Sequence, residues 1–340
     1  MRVAVIGAGA VGGLLAALLD RAGHEVEVTA RGDHLAAIRA DGIVLDGGYG
    51  SHVARVTANE TLTGRPDLAI LATKAQDAAV ALRANADQID GVPLLVVQNG
   101  LDGIVVASSV VPNSPLLGGL ALFATSYLSP GRISVTAALP IAIGAAADTP
   151  PDVLTRVAEL LRGAMPVEIL PDLDGAMWTK LLVNHVNALP AITGLSVQQT
   201  VADRRLLRVL AASLRETVRL ANAIGVRFAT LQGLPGWALP WLGRGPLWLA
   251  ARLPVLLARR MGDVPNPAST LQSIRRGQLT EIDSLNGAVV RVAREHGREA
   301  PINAALVALV HEVERTGGFH PAAEVARRVP VQSGAGSIEQ

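Results

Sequence analysis

Residues 1–31, MRVAVIGAGAVGGLLAALLDRAGHEVEVTAR, constrain the fold more than any other stretch of the chain. Val3, Ala4, Val5 and Ile6 form an unbroken apolar run, which suits a strand buried on both faces of a parallel sheet. Gly7, Gly9 and Gly12 follow in G-x-G-x-x-G spacing. Each glycine is expected to do a different job. Gly7 permits the tight turn, Gly9 lets backbone approach a pyrophosphate, and Gly12 lets the next helix pack close to the strand. The helix continues through residues 14–19, Gly23 ends it, and residues 25–29 read as a second strand, completing a βαβ start. The glycine pattern alone is weak evidence. Between a strand and a helix, with a second strand at the expected distance, it predicts a dinucleotide site with the helix N-terminus facing phosphate.

The end of the second strand bears on the choice of cofactor. An NAD site usually has Asp or Glu about 20 residues beyond the glycines, on the ribose hydroxyls. Here Thr29, Ala30 and Arg31 stand instead, with Glu25 and Glu27 earlier in the strand. A guanidinium binds phosphate bidentately, so Arg31 favours NADP(H).

Half of the 340 residues are hydrophobic, enough for two domains with proper cores. A net charge of +1 creates no global field for nucleic acid or anionic lipid, so any charged partner must be met locally. The absence of cysteine excludes disulfides, thiol nucleophiles and cysteine metal sites. His24, His185 and His296 are among scattered histidines without ligand spacing, and no metal is expected. The chain enters its first strand at once, without a signal-peptide pattern, so the cytoplasm is the expected location. Of the 30 basic residues, 28 are arginine and only Lys74 and Lys180 are lysine. With abundant Ala and Gly, this looks like the coding preference of a GC-rich genome. Under that pressure a surface lysine drifts to arginine, whereas a lysine needed as a compact, titratable ammonium does not, and both survivors become functional candidates.

After a short helix over residues 34–40 and hairpin material through Gly50, residues 67–73 form a buried strand, with Lys74 just beyond its end. Residues 94–97 form another, followed by Gln98, Asn99 and Gly100. Both positions lie where ligands collect in open α/β sheets, although Asn-Gly is equally a simple turn. Residues 118–124, 132–136 and 140–144 read as strands of an outer sheet, 150–163 as a helix and 167–170 as a closing strand.

At Pro171 the pattern becomes helical, so the expected domains are 1–170, a helical 171–332 and a mobile polar tail, 333–340. On a continuous helix through MWTKLLVNHVNAL, at about 100° per residue, Lys180, Asn184 and Asn187 share an arc of about 60°. Spacing leaves open whether this lines a cleft or faces water. A second polar set spans 269–287, where Glu281 sits among Thr280, Asp283 and Asn286; spacing alone reads it as an exposed helix carboxylate. Between them, residues 233–261 hold Trp237, Trp241 and Trp248. Pro235, Pro240, Pro246 and Pro254, with Arg244 and Arg252, interrupt this segment too often for a span of about 20 apolar residues. Buried core or a lid is the leading reading, followed by a homo-oligomer interface and then a membrane-surface patch.

In this order and spacing, GAGAVGG with Arg31, TKAQD with Lys74, QNG with Asn99, WTKLLVN with Lys180 and Asn184, and STLQSI…TEIDSLNG with Ser269 and Glu281 resemble the ketopantoate reductase family over nearly the whole chain. The resemblance implies an α/β fold, an N-terminal Rossmann-type domain followed by a mostly α-helical one. It also implies NADPH-dependent reduction of a small 2-oxo acid, 2-dehydropantoate, to pantoate in pantothenate synthesis, with no nucleic-acid partner. By the same resemblance Lys180 is the general acid, Glu281 completes the polar site, and Asn99, Asn184 and Ser269 hold substrate. Lys74 lies beside the cofactor, which Asn99 also borders. Two departures stand out: Ala188 replaces the family's usual second asparagine, with Asn187 adjacent, and the segment 233–261 is longer and more apolar. They leave a paralogue acting on a bulkier apolar 2-oxo acid as an alternative, and behind it a non-catalytic NADP(H) sensor.

Overall fold

The computed structural model describes residues 1–262 and 264–331; the tail expected at 333–340 lies outside the described residues. The chain divides into two compact units, Met1–Leu173 and Asp174–Gln340.

The first unit opens with β1 (Arg2–Ile6), α1 (Ala10–Arg21), β2 (Glu25–Thr29), α2 (Gly32–Asp41), β3 (Ile43–Gly47), β4 (His52–Ala54) and β5 (Thr57–Asn59). It continues through β6 (Leu68–Leu71), α3 (Ala78–Arg83), α4 (Ala86–Ile89), β7 (Leu94–Val96), α5 (Gly103–Val110) and β8 (Leu116–Ala121). It closes with β9 (Ala124–Ser129), β10 (Arg132–Ala137), β11 (Ile141–Ala145), α6 (Pro151–Arg162) and β12 (Val167–Ile169). Eight strands form one sheet in the order β12-β11-β8-β7-β6-β1-β2-β5, in which β11 and β12 run opposite to the other six. Both faces of β1 are covered, as its continuous apolar run requires. Val3 and Val5 join the core under α1 and α6, whereas Ala4 and Ile6 join the core under α3 and α5. The chain passes from β1 to β2 on one side and later to β6 on the other, so the strand order reverses between β1 and β6.

The expected outer sheet needs correction. β8 and β11 extend the main sheet, while β10 belongs to a separate four-stranded sheet, β4-β3-β10-β9. Apolar alternation marks a strand without naming its neighbour, because pairing is a long-range choice. The small sheet covers the outer side of α1, where Ile133 and Val135 join the same core as its leucines. Residues Gly12 through Leu19 are therefore all buried, and the helix is apolar on every side. Each enclosed leucine contributes about 1.5–3 kcal/mol relative to exposure.

The second unit is helical. Its elements are α7 (Leu173–Asn184), α8 (Ala188–Thr193), α9 (Val197–Ala202), α10 (Arg204–Ala223), α11 (Pro240–Arg244) and α12 (Leu247–Arg260), then α13 (Ala268–Arg275), α14 (Asn286–Glu295), α15 (Pro301–Thr316) and α16 (Ala322–Arg328). The 20-residue α10 is its axis. Asp203 caps it by accepting from the N–H groups of Arg205 and Leu206, and α11, α12, α15 and α16 pack around it. Among the described residues, no helix is long and apolar enough to cross a membrane.

The continuous helix expected through Asn187 is also corrected. The α-helix stops at Asn184, a 3₁₀ turn takes His185–Asn187, and α8 starts afresh at Ala188. Pro190, in the first turn of α8, has no N–H to bond the carbonyl four residues back, so the chain cannot run through as one helix. At about 120° per residue the tighter turn displaces Asn187 from the phase an unbroken helix would give it.

Candidate active site

In the first unit the expected residues gather at one sheet edge. Gly7, Arg31, Lys74 and Asn99 follow the carboxyl ends of β1, β2, β6 and β7, four neighbouring parallel strands. Gly7 has φ +96°, and a Cβ there would lie 2.7 Å from the Thr73 side chain, so only glycine fits. A Cβ on Gly12 would come within 1.9 Å of the Gly7 carbonyl oxygen, whereas one on Gly9 would meet no protein atom within 4 Å. The space at Gly9 is thus open for something other than protein. Gly9 is also the N-cap of α1, where neither a capping side chain nor an acidic residue occupies the first turn. The first turn of this 12-residue helix presents unclaimed N–H groups there, a setting suited to an anion. Arg31, at the N-terminus of α2, is exposed, and its guanidinium has no hydrogen-bond or ion-pair partner among the described residues. Glu27 is buried, and its carboxylate is taken up by Arg2, Asn59 and Thr63. These residues fit the phosphates of a dinucleotide. Lys74 and Asn99 are partly buried beside them.

Three residues here were given no role by the sequence reading. Thr29 accepts from the Gly7 N–H at 2.9 Å, and the Ala8 N–H donates to the Thr29 carbonyl at 3.0 Å. His34 Nε2 donates to the Ala8 carbonyl at 2.6 Å, while its Nδ1 accepts from the Gly131 N–H at 3.0 Å, which ties the glycine turn to the small sheet. Gln98 donates to the Thr73 carbonyl at 2.8 Å, and its own amide oxygen is buried without a partner. The QNG triplet marked the place of Gln98; nothing local marked His34.

In the second unit, Lys180 and Asn184 lie one turn apart on α7, on the same face and both partly buried. Desolvation lowers the Lys180 pKa from 10.5 to about 8, so near neutrality it is an ammonium that parts with its proton easily. Directly after Asn184, His185 is fully buried in the 3₁₀ turn. Its Nδ1 lies 2.8 Å from the Leu181 carbonyl, an acceptor, and must carry the proton; its Nε2 lies 2.8 Å from the Thr217 hydroxyl. Burial lowers its pKa to about 4 and keeps the ring neutral. Ser269 is exposed in the first turn of α13, a helix that packs on α8 and the 3₁₀ turn. The preceding Ala268 adopts φ +60°, an uncommon conformation for a residue with a side chain. Glu281 is partly buried and precedes a 3₁₀ turn, Ile282–Ser284, so the exposed-helix reading is corrected. Its neighbours are committed elsewhere: Asp283 accepts from His311, and Asn286 donates to Asn303 in the core. Ala188 is buried in α8. Among the described residues, no group of three or more His, Cys, Asp or Glu could hold a metal ion.

The segment 233–261 departs from the buried-core part of its leading reading. Leu239, Leu253 and Leu257 are buried, but Trp237, Trp241 and Trp248 are exposed.

Comparison with known proteins agrees with this architecture. The ketopantoate reductase PanE/ApbA family matches residues 3–148, and its C-terminal domain matches residues 172–314. The 2-dehydropantoate 2-reductase of Halobacterium salinarum is 30% identical over 327 residues, covering 93% of this chain and 100% of that protein. That of Mycobacterium tuberculosis is 32% identical over 321 residues, covering 91% and 96%. A PanE/ApbA family ketopantoate reductase from Ralstonia eutropha JMP134 superposes with a TM-score of 0.77 at 28% identity, covering 93% of this chain and 99% of that one. D-mandelate dehydrogenase, solved with NADH, shares the fold at a TM-score of 0.79 and 20% identity. The glycine turn, the strand-end residues and the α7 face are thus parts of an oxidoreductase: the chain belongs to the ketopantoate reductase family.

Proposed function

We propose that this protein reduces a 2-oxo acid with NADPH, and that the acid is 2-dehydropantoate, giving pantoate. The observation that carries the reading is Lys180, one of two lysines among 30 basic residues, half-buried one turn from an asparagine and with its pKa brought down to about 8. Gly7, Gly9, Gly12 and the start of α1 hold the pyrophosphate, Arg31 takes the 2′-phosphate, and Lys74 and Asn99 border the cofactor. The chemistry supplied by bound NADPH is hydride, from C4 of the nicotinamide to the C2 carbonyl carbon. Lys180 stabilises the negative charge that grows on the carbonyl oxygen and delivers the proton that completes the hydroxyl. Arginine would hold the charge without releasing the proton. Glu281 is assigned the carboxylate role of keeping Lys180 charged before reaction. Asn184, Ser269 and Asn99 orient the acid.

A second reading, a bulkier and more apolar 2-oxo acid, is favoured by one feature. Ala188 is buried in α8 and offers no amide, and the 3₁₀ turn moves Asn187 out of helical phase. Loss of NADPH absorbance in the near ultraviolet decides between them. Rapid turnover of ketopantoate, with NADPH preferred over NADH, is the expected result. Slow turnover that recovers with larger apolar 2-oxo acids selects the second reading, and no turnover with any of them overturns both.

A further inference from the structure

The second unit carries a surface that the proposed reaction does not use. Between Asp203 and Asp263 the sequence holds ten arginines and one carboxylate, Glu216, a local charge of +9 in a chain of +1, so the remaining residues sum to −8. The later half of this stretch is a 3₁₀ turn at Gly236–Ala238 followed by α11 and α12. Ala250, Leu253, Leu257 and Ala258 form the buried side of α12, which packs on α10. Its outer face shows Trp248, Arg252 and Leu256 at i, i+4 and i+8, and ends in the exposed Arg259 and Arg260.

Trp237, Trp241 and Trp248 are 77%, 55% and 59% exposed. The Arg244 guanidinium lies 5.7 Å from the Trp241 ring centroid and that of Arg252 lies 4.8 Å from the Trp248 ring centroid. Residues 233–262 contain no Asp or Glu, and among the described residues Arg244, Arg252, Arg259 and Arg260 have no carboxylate partner. Each candidate occupant has to satisfy both the cations and the apolar groups. A polyanion would satisfy the arginines but leave Leu256 and Val264, 41% and 79% exposed, in water. A second copy meeting this face about a two-fold axis would set arginines against arginines. Anionic headgroups over an acyl region take up both, and indole rings suit that boundary.

We propose that the face formed by the 236–238 turn, α11 and α12 docks on the surface of an anionic phospholipid bilayer, with α12 lying in the plane of the headgroups. At 14 residues and with Pro254 inside it, α12 lies on the bilayer and does not cross it.

The test is co-sedimentation of the full chain with phosphatidylglycerol/phosphatidylcholine vesicles and with pure phosphatidylcholine, with tryptophan emission as a second readout. The fourth tryptophan, Trp178, is only 8% exposed, so a change in emission reports the other three. Binding to the anionic vesicles alone, with a blue shift and quenching by brominated acyl chains, is expected. Each Arg→Ser change at 244, 252, 259 or 260 should weaken binding about fivefold. Arg162→Ser, on α6, should leave binding unchanged. The triple variant W237S/W241S/W248S should lose the blue shift while its far-ultraviolet circular dichroism stays that of the folded protein. Failure to sediment with anionic vesicles at low salt overturns the proposal. So does tighter binding to a single-stranded oligonucleotide. A lipid-independent blue shift that grows with protein concentration, alongside a dimer in sedimentation velocity, would make the face a self-association interface instead.

Discussion

At the strand ends around Gly7, the groups that would meet a ligand are backbone atoms. Their geometry follows from what glycine lacks: no Cβ at Gly7 to strike Thr73, none at Gly12 to strike the Gly7 carbonyl, and none at Gly9 to fill the space above. On α7 the proposed working group is one side chain, and its property is environmental. The Lys180 ammonium loses its proton more readily than free lysine because burial strips it of water. The first region is a shape dictated by local sterics; the second is a chemical potential set by whatever the rest of the chain packs around it. Changes in the first should therefore move binding, and changes in the second should move the rate.

The largest expected effect is that of Lys180→Ala. The turnover number should fall by about 10²–10⁴, the usual worth of a positioned general acid, while the dissociation constant for NADPH stays within about twofold of wild type. Lys180→Arg should be nearly as slow despite keeping the charge. In the wild type, reduction should decline as pH rises through about 8, where the ammonium is lost, and a flat profile from there to about pH 10 would break the assignment.

Gly12→Ala should show the opposite pattern. Its new Cβ, 1.9 Å from the Gly7 carbonyl oxygen, must open the turn, so dinucleotide affinity should drop by at least ~10-fold and thermal stability should fall with it. Fluorescence titration with NADPH measures the first effect. If affinity survives and only turnover suffers, the contrast between the two regions is wrong.

Arg31→Ala sharpens the comparison within the binding half. Affinity for NADPH should weaken by about 10-fold, the value of one charge-assisted contact at an exposed site, with affinity for NADH unchanged. Equal losses for both cofactors would remove Arg31 from the 2′-phosphate.

The last effect is on stability rather than on activity and concerns His185, in the 3₁₀ turn that follows α7. His185 is neutral in the folded protein with a pKa of about 4, whereas in the unfolded chain it takes a proton near 6.5. The unfolded state binds more protons between those values, so this stability is complete above pH 6.5 and declines as pH falls toward 4. The total is roughly 3 kcal/mol. His185→Gln should flatten that window in urea midpoints measured against pH, and an unchanged slope would place the titration elsewhere.

Residue by residue, legibility followed the range of the forces involved. The βαβ start could be read because its glycines, apolar run and second strand lie within 31 residues and act through local sterics. The break after Asn184 was legible too, in Pro190, but a helical wheel carries no account of a missing N–H six residues on. The division of the strands between two sheets was not legible: β8 is a continuous apolar run and β10 alternates, which says how many faces are buried but does not name β7 or β3 as the partner. His34 could not be found either, since its bonds to Ala8 and Gly131 span 26 and 97 residues.

By itself, then, the sequence determined the glycine turn, the cation at the end of β2, the scarcity of lysine and the change from α/β to helical character. Each is a matter of residue identity or short-range periodicity. The tertiary structure decided which strands are neighbours, that the tryptophans of α11 and α12 face outward, and that Lys180 is dry enough to hold its pKa near 8. Those outcomes depend on desolvation and pairing between distant segments, and a residue's own chemistry contains neither until the chain has closed around it.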